Sequence, residues 1–212
     1  MPAALKSATN EALDPQEEAR AGCYALLARL FYAAPDAGLL HELTHGMPLN
    51  THAADVALAA LPAAWDALRL AAAEAEPGAV HAEYDDTFIG VGRPEVLLYG
   101  SFYLAGFLNE RPLVELRNDL AELGYTRADD ASEPEDHIAA LADVMRQLIL
   151  DGEDVPDGNA AAQRRFFARH IATWYGRLCD GIEADANVDF YCSVAAFCRA
   201  FLDMEREYLR SE

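Results

Sequence analysis

The sequence predicts an all-α protein, a single compact domain of about nine or ten helices. Apolar residues recur at intervals of three and four along most of the chain, whereas strand-like alternation never persists beyond four or five residues. The chain has 212 residues, of which 52% are hydrophobic, and this is enough to build one sizeable core. Proline and glycine interrupt the apolar stripes at spacings typical of helix boundaries. We therefore expect helices packed on helices around one core.

In the N-terminal half, four helices can be placed in order. Asp14, Pro15 and Glu17 provide an N-cap, a proline and an acid for the first turn of a helix that Pro35 ends. A short second helix is predicted over 36–45, and the third carries Pro62 as a kink or a restart. The apolar stripes of the four are Cys23, Leu26, Leu27, Leu30 and Phe31; Leu39, Leu40 and Leu43; Leu58, Leu61, Trp65, Leu68 and Ala72; and Val80, Tyr84, Phe88 and Val91.

Five more helices are predicted in the C-terminal half. Gly124 ends one of them, and Ser132 with Glu135 forms a predicted capping box for the next, with Pro134 in its first turn. The stripes are Leu98, Phe102, Ala105 and Leu108; Leu113, Leu116, Leu120 and Leu123; Ile138, Leu141, Met145 and Leu148; Phe167, Ile171, Trp174 and Leu178; and Tyr191, Val194, Cys198, Phe201 and Tyr208. We expect a flexible N-terminus over 1–14, a helical domain over 15–212, and hinge loops at 124–133 and 151–158.

The charge and the cysteines narrow the function classes. Lys and Arg number 16 against 36 Asp and Glu, which gives a net charge of −20. Such a chain has no basic stripe for nucleic acid and is repelled by an anionic membrane surface. The sequence shows no secretory apolar run in residues 1–14 and no apolar stretch long enough to span a bilayer. The four cysteines form no Cys-x-x-Cys pair, Cys23 and Cys198 are predicted core residues, and we expect a cytoplasmic location.

Three clusters carry potential chemistry, although each also has a purely structural interpretation. Residues 133–137 place three acids and His137 at a predicted helix N-terminus, which favours a well-capped helix with a half-buried histidine. Residues 81–90 read as an amphipathic helix with one solvated acidic face, and residues 166–174 as a core stripe in which His170 and Trp174 share a face. The sequence contains no phosphate loop, zinc motif or catalytic triad. We therefore predict neither an enzyme nor a bound cofactor.

Taken in order, these clusters resemble the TorD/DmsD/NarJ family of chaperones for molybdopterin oxidoreductases. Residues 133–138 match the family's E-P-x-D-H signature, and the similarity spans roughly residues 20–205. The family often has proline where this chain has Thr173. The matching segments are Glu83-Tyr84 with Phe88-Ile89-Gly90; Leu98-Tyr99-Gly100-Ser101-Phe102-Tyr103-Leu104; Arg111-Pro112-Leu113 through Leu123-Gly124; Glu133-Pro134-Glu135-Asp136-His137-Ile138; and Phe167, His170-Ile171 and Trp174.

The resemblance implies an all-helical chaperone that binds the twin-arginine signal peptide of a molybdopterin oxidoreductase precursor and assists cofactor insertion before export by the Tat translocase. Dimethyl sulfoxide reductase, trimethylamine N-oxide reductase, formate dehydrogenase and similar enzymes are the expected clients. Carboxylates suit the two guanidinium groups of the leader, and an aromatic groove suits its apolar segment. The candidate signal-peptide-binding residues are Tyr84, Phe88, Tyr99, Phe102, Glu133, Pro134, Asp136, His137, His170 and Trp174.

Two other functions remain open on the sequence alone. One is a metal-dependent helical hydrolase or nucleotidase that uses Asp85, Asp86, Glu133, Asp136 and His137 around a divalent ion. The other is a non-catalytic helical scaffold without a peptide groove. A homodimer formed by domain swapping across the predicted hinge loops is a further expectation.

Overall fold

The computed structural model describes residues 13–46, 56–90, 94–108, 111–127, 133–152 and 159–211. Within these ranges the protein is all-helical, which confirms the predicted fold class. No helix among the described residues has both the length and the apolar character needed to cross a bilayer. The helices are α1 (Pro15–Tyr32), α2 (Ala37–Thr44), α3 (Val56–Glu74), α4 (Pro77–Tyr84), α5 (Gly100–Ala105), α6 (Arg111–Glu122), α7 (Ile138–Asp151), α8 (Asn159–His170), α9 (Tyr175–Ala184) and α10 (Phe190–Ser211), with a π-helical turn over Asp85–Ile89 after α4.

The start of α1 uses the predicted cap, and α3 differs from its prediction. The Asp14 carboxylate accepts a hydrogen bond from the Gln16 amide, 3.0 Å away, and thereby caps α1 as the sequence predicted. Pro62 was predicted as a kink or a restart, and α3 runs unbroken through this residue, which excludes the restart. α3 packs along both α2 and α10, and this packing holds the helix where proline removes one backbone hydrogen bond. Of the fourth apolar stripe, Val91 lies outside the described residues, as do parts of both predicted hinge loops.

The core is organised around α10. This helix packs against α3, α9, α8, α4 and α1, and α1 in turn packs along α7. Aromatic rings fill the interface, for example Tyr24 edge-on to Phe201 with 4.8 Å between ring centroids. Cys198 is fully buried, as predicted, whereas Cys23 is half-buried and packs against the core from its edge.

A polar network crosses this apolar core. The Arg20 guanidinium donates to the Glu205 carboxylate through Nε at 2.7 Å and Nη2 at 2.9 Å, and to Gln163 at 2.7 Å. The Tyr24 hydroxyl donates to the same carboxylate at 2.9 Å. Glu205 is completely buried, so its charge depends on these donors for compensation. The network joins α1, α8 and α10 with a geometry that apolar packing alone would not specify.

The burial of the Arg20–Glu205 pair predicts that Glu205→Gln lowers the free energy of unfolding more than Glu42→Gln does. In Glu205→Gln, the Arg20 charge stays in the core with only the half-buried Glu17 as its counter-charge. Breaking a buried pair costs about 3–5 kcal/mol, and because Glu17 remains we expect about 3 kcal/mol in urea denaturation. The control Glu42→Gln breaks an exposed pair with Arg29 and should cost less than about 1 kcal/mol. Equal losses in the two variants would contradict the assigned role.

Candidate functional site

Two short segments meet at the site and join the N-termini of α5 and α7. Tyr99 and His137 form an isolated antiparallel bridge. The Gly100 amide donates to the Asp136 carbonyl, and the Ile138 amide donates to the Leu98 carbonyl, each at 2.9 Å. The E-P-x-D-H segment is thereby fixed against the segment that precedes α5. We call this paired region, Leu98–Gly100 with Asp136–Ile138, the bridge.

The two polar side chains of the bridge each cap a different helix. The Asp136 carboxylate accepts a hydrogen bond from the Ser101 amide of α5 at 2.7 Å. The His137 Nδ1 accepts from the Ala139 amide at 3.1 Å and caps α7. Both residues are only 4% exposed. Burial therefore places Asp136 and His137 in the structural framework of the site, where Oδ2 of Asp136 and Nδ1 of His137 each bind a backbone amide.

The predicted start of α7 is wrong. The helix begins at Ile138, so Pro134 lies in the turn before it and not in its first helical turn. Ser132 lies outside the described residues, and Glu135 makes a bidentate pair with Arg117, with both N–O distances 2.9 Å. The bridge explains the later start, because it holds Asp136 and His137 in non-helical backbone geometry.

An acidic face remains beside the bridge. We use this term for Asp85, Asp86 and Glu133, where the two aspartates are exposed and Glu133 is half-buried. The Tyr99 hydroxyl donates a short hydrogen bond to Glu133. Burial, together with the charges of Glu133 and Asp85, raises the pKa of Tyr84 to about 12, so both carboxylates act on that hydroxyl electrostatically. Among the described residues, none forms an ion pair with Glu133 or Asp86, whereas Asp85 lies 3.4 Å from the exposed His81.

The segment before the acidic face holds helix ends together, a role that the sequence did not reveal. The Glu83 carboxylate accepts from the Tyr191 amide at 2.7 Å and from the Phe190 amide at 3.1 Å, so it caps α10 from a distant helix. The Tyr84 hydroxyl lies 3.1 Å from the carbonyls of both Phe31 and Tyr32 at the end of α1. Glu83 was predicted as part of a solvated acidic face, and this cap corrects that view.

The third cluster, residues 166–174, packs against the bridge through Trp174, which lies against Gly100. His170 ends α8 and its Nε2 lies 2.6 Å from the Asp119 carboxylate, while burial lowers the pKa of His170 more than Asp119 raises it. The Trp174 indole donates to the His170 carbonyl at 2.6 Å and stacks on Tyr103. His170 and Trp174 are therefore linked, as their spacing suggested, although the link runs through the His170 backbone.

The predicted groove walls divide into two groups. Tyr84, Phe88 and Trp174 are at most 6% exposed and pack in the core, so these three rings line no open groove in this structure. Tyr99 and Phe102 are half-buried and reach the surface. The three buried rings therefore belong to the core, and of the five only Tyr99 and Phe102 can contact a ligand at the surface.

The fold and the site together describe an all-helical protein. Its motif residues cap and connect helix ends, and an acidic surface lies beside them. A family model described as "Nitrate reductase delta subunit" matches residues 55–180. The match covers more than half of the chain, and the chain therefore belongs to this family, which confirms the resemblance to the TorD/DmsD/NarJ proteins.

Curated relatives agree with this assignment. The chain is 28% identical over 141 residues to the "Chaperone protein TorD" of Vibrio atlanticus (strain LGP32), and 29% identical over 141 residues to that of Aliivibrio fischeri (strain ATCC 700601 / ES114). Each match covers 62% of this chain and 64% of the relative, so the similarity spans somewhat less than two thirds of those proteins.

The close approach of Gly100 to Trp174 predicts that alanine destabilises the protein at Gly100, whereas it stabilises the protein at Gly22. A Cβ at Gly100 would lie 3.1–3.4 Å from three indole atoms, whereas nothing lies within 4 Å of a Cβ at Gly22 inside α1. We expect Gly100→Ala to lose about 1–3 kcal/mol by displacing Trp174, and Gly22→Ala to gain about 0.5–1 kcal/mol from helix propensity. Chemical denaturation of both variants checks this, and a neutral Gly100→Ala would show that the indole moves freely.

His137 predicts a pH dependence of stability. Burial lowers its pKa to about 4, against nearby Glu133 and Asp136, which raise it. From an unfolded value near 6.5, the unfolded chain binds a proton as pH falls while the folded chain does not, so the free energy of unfolding decreases from about pH 6.5 to pH 4. The shift corresponds to about 3 kcal/mol.

The variant His137→Asn keeps a side-chain acceptor for the Ala139 amide and removes the titration. We expect urea titrations at several pH values to show a flatter slope in His137→Asn than in the wild type between pH 6.5 and 4. Parallel slopes would mean that His137 binds its proton equally in the folded and unfolded chains, and therefore that burial does not lower its pKa.

Proposed function

We propose that this protein is a cytoplasmic chaperone that binds the twin-arginine leader of a molybdopterin oxidoreductase precursor and assists cofactor insertion before Tat export. The family membership and the similarity to TorD chaperones support the class of function. The observation that carries the leader-binding proposal is the acidic face, in which Glu133 and Asp86 have no cationic partner among the described residues. Neighbouring carboxylates differ in this respect, since Glu135 and Asp119 are already paired with arginines.

The chemistry of the leader fits this surface. Two adjacent guanidinium groups need two carboxylates within reach, and each charge-assisted hydrogen bond contributes roughly 1.5–3 kcal/mol when it is shielded from water. Glu133 is half-buried and fixed by Tyr99, so little rotamer entropy is lost when an arginine binds it. The exposed Asp85 and Asp86 widen the negative field and attract the leader from a distance.

The apolar part of the leader also finds contacts at this place. Tyr32 and Ile89 are exposed large apolar residues at the end of α1 and of the π-helical turn. Tyr32 lies directly beside Tyr84, whose hydroxyl bonds its carbonyl, and Ile89 is three residues from Asp86. An apolar helix that follows the arginines would cover these side chains, and such helix docking is a common mode of peptide recognition.

Calorimetric titration of a twin-arginine peptide tests the proposal. We expect Glu133→Gln to weaken binding about tenfold, and Asp86→Asn to weaken it by a smaller factor because Asp86 is exposed. The matched control Glu74→Gln removes an exposed charge at the end of α3 and should leave binding unchanged. Replacing both arginines of the peptide by lysine should also weaken binding, because lysine cannot pair bidentately.

Raised ionic strength should weaken the binding of the wild type more than that of Glu133→Gln. Affinity that is insensitive to both the arginines and Glu133 would exclude the electrostatic mechanism. Asp136→Ala and His137→Ala require a parallel stability measurement, since both residues cap helices and their loss acts first on the fold.

The metal-dependent alternative receives no support from the geometry. It requires Asp85, Asp86, Glu133, Asp136 and His137 around one ion, but the described residues contain no group of three or more histidine, cysteine or acidic side chains arranged to hold a metal. Asp136 and His137 also turn their acceptors toward backbone amides.

A further inference from the structure

A second surface is formed mainly by residues that flank the bridge segment Leu98–Gly100 on both sides in sequence. A pocket of about 210 Å³ is lined by Pro94, Glu95, Val96, Leu97, Phe102, Tyr103, Arg177 and Gly181. Its volume suits one or two side chains and is smaller than the sites that hold drug-sized molecules. Its floor is rigid, because Tyr103 stacks on Trp174 at 5.2 Å with an angle of 17° between the rings. The pocket is therefore a preformed cavity for an anchoring side chain.

Arg177 distinguishes this pocket electrostatically. Its guanidinium lies 5.7 Å from the centre of the Tyr103 ring, and no carboxylate among the described residues pairs with it. In a chain with a net charge of −20, most arginines in the described part are paired with acids, as Arg169 is with Asp119. Glu95 also lines the pocket without reaching ion-pair distance of Arg177. The guanidinium is therefore an exposed cation at the pocket that has no carboxylate partner among the described residues.

The pocket continues into an apolar surface. From Leu104 to Leu108 every residue is exposed, including Leu104, Phe107 and Leu108, and Phe107 reaches 71% exposure. Leu104 belongs to α5, as do the pocket residues Phe102 and Tyr103, and Phe107 and Leu108 follow within three residues of the end of this helix. Three large apolar side chains in five exposed positions are typical of a surface that a partner covers.

We propose that this surface, the pocket together with Leu104, Phe107 and Leu108, binds an amphipathic helical segment of a partner protein that carries an acidic residue beside its apolar stripe. The charge of Arg177 determines what can bind. Its guanidinium donates hydrogen bonds to a carboxylate and repels a cationic segment, so the twin-arginine leader is not its ligand. The apolar stripe covers Leu104, Phe107 and Leu108, and one acidic side chain enters the pocket. This inference does not depend on the leader-binding proposal.

A charge-swap experiment tests the surface. Two fluorescent helical peptides share a leucine stripe at i, i+3, i+4 and i+7 and differ at one flanking position, which is Glu in one and Lys in the other. Wild-type protein should bind the Glu peptide more tightly. Arg177→Glu should reverse the order, with changes of about fivefold for each peptide. Arg164→Glu, an exposed arginine on α8, is the matched control and should preserve the wild-type order.

Two further variants test the other parts of the surface. Phe107→Ser should weaken both peptides about tenfold, because it removes the most exposed apolar contact. Glu95→Gln should tighten binding of the Glu peptide by removing a competing carboxylate. All these positions are on the surface, and thermal melts should confirm that each variant folds. No saturable binding of the Glu peptide, or an equal preference of wild type and Arg177→Glu, would overturn the proposal.

Discussion

The bridge between Leu98–Gly100 and Asp136–Ile138 is the constraint on which the site depends. Two backbone hydrogen bonds and the Asp136 cap hold the starts of α5 and α7 together, although these helices are separated along the chain by the whole of α6. The His137 side chain caps α7 locally. Backbone groups at helix starts lack partners within the helix, and burial would leave them unsatisfied without such caps. The E-P-x-D-H segment supplies them, so its acid and histidine are first of all folding determinants.

Side chains from distant parts of the chain also bind the backbone at other helix ends. Glu83 caps α10 from α4, and the hydroxyls of Tyr84 and Tyr191 bind carbonyls at the end of α1. Each of these side chains lies far in sequence from the helix it completes. Polar side chains in the core therefore specify which helix end meets which neighbour, while apolar packing supplies most of the stability. The buried pair of Arg20 and Glu205 adds a further polar contact of this kind.

The pattern explains what the sequence could and could not predict. The stripes through α1, α7 and α10 are periodic over several turns, and the cap at Asp14 is local, so the helices and the all-α class could be predicted. The start of α7 could not, because it depends on the pairing of His137 with Tyr99, a contact between distant residues. The burial of Trp174 agrees with the predicted core stripe, whereas its contacts with Gly100 and Tyr103 join residues that are distant in sequence and could not be predicted. Local patterns locate motif residues, but only the tertiary structure separates capping residues from those left at the surface.

The two surfaces share one restrained segment. Tyr99 contacts Glu133 at the acidic face, and Phe102 and Tyr103, on the next turn, line the pocket. Between them, Gly100 lies tight against Trp174 and the Ser101 amide is bound by Asp136. Conformational coupling between two ligands requires that they favour different conformations of what lies between them. Because these contacts hold the intervening residues in a single arrangement, we expect little conformational coupling between the cationic ligand proposed for the acidic face and the acidic ligand proposed for the pocket.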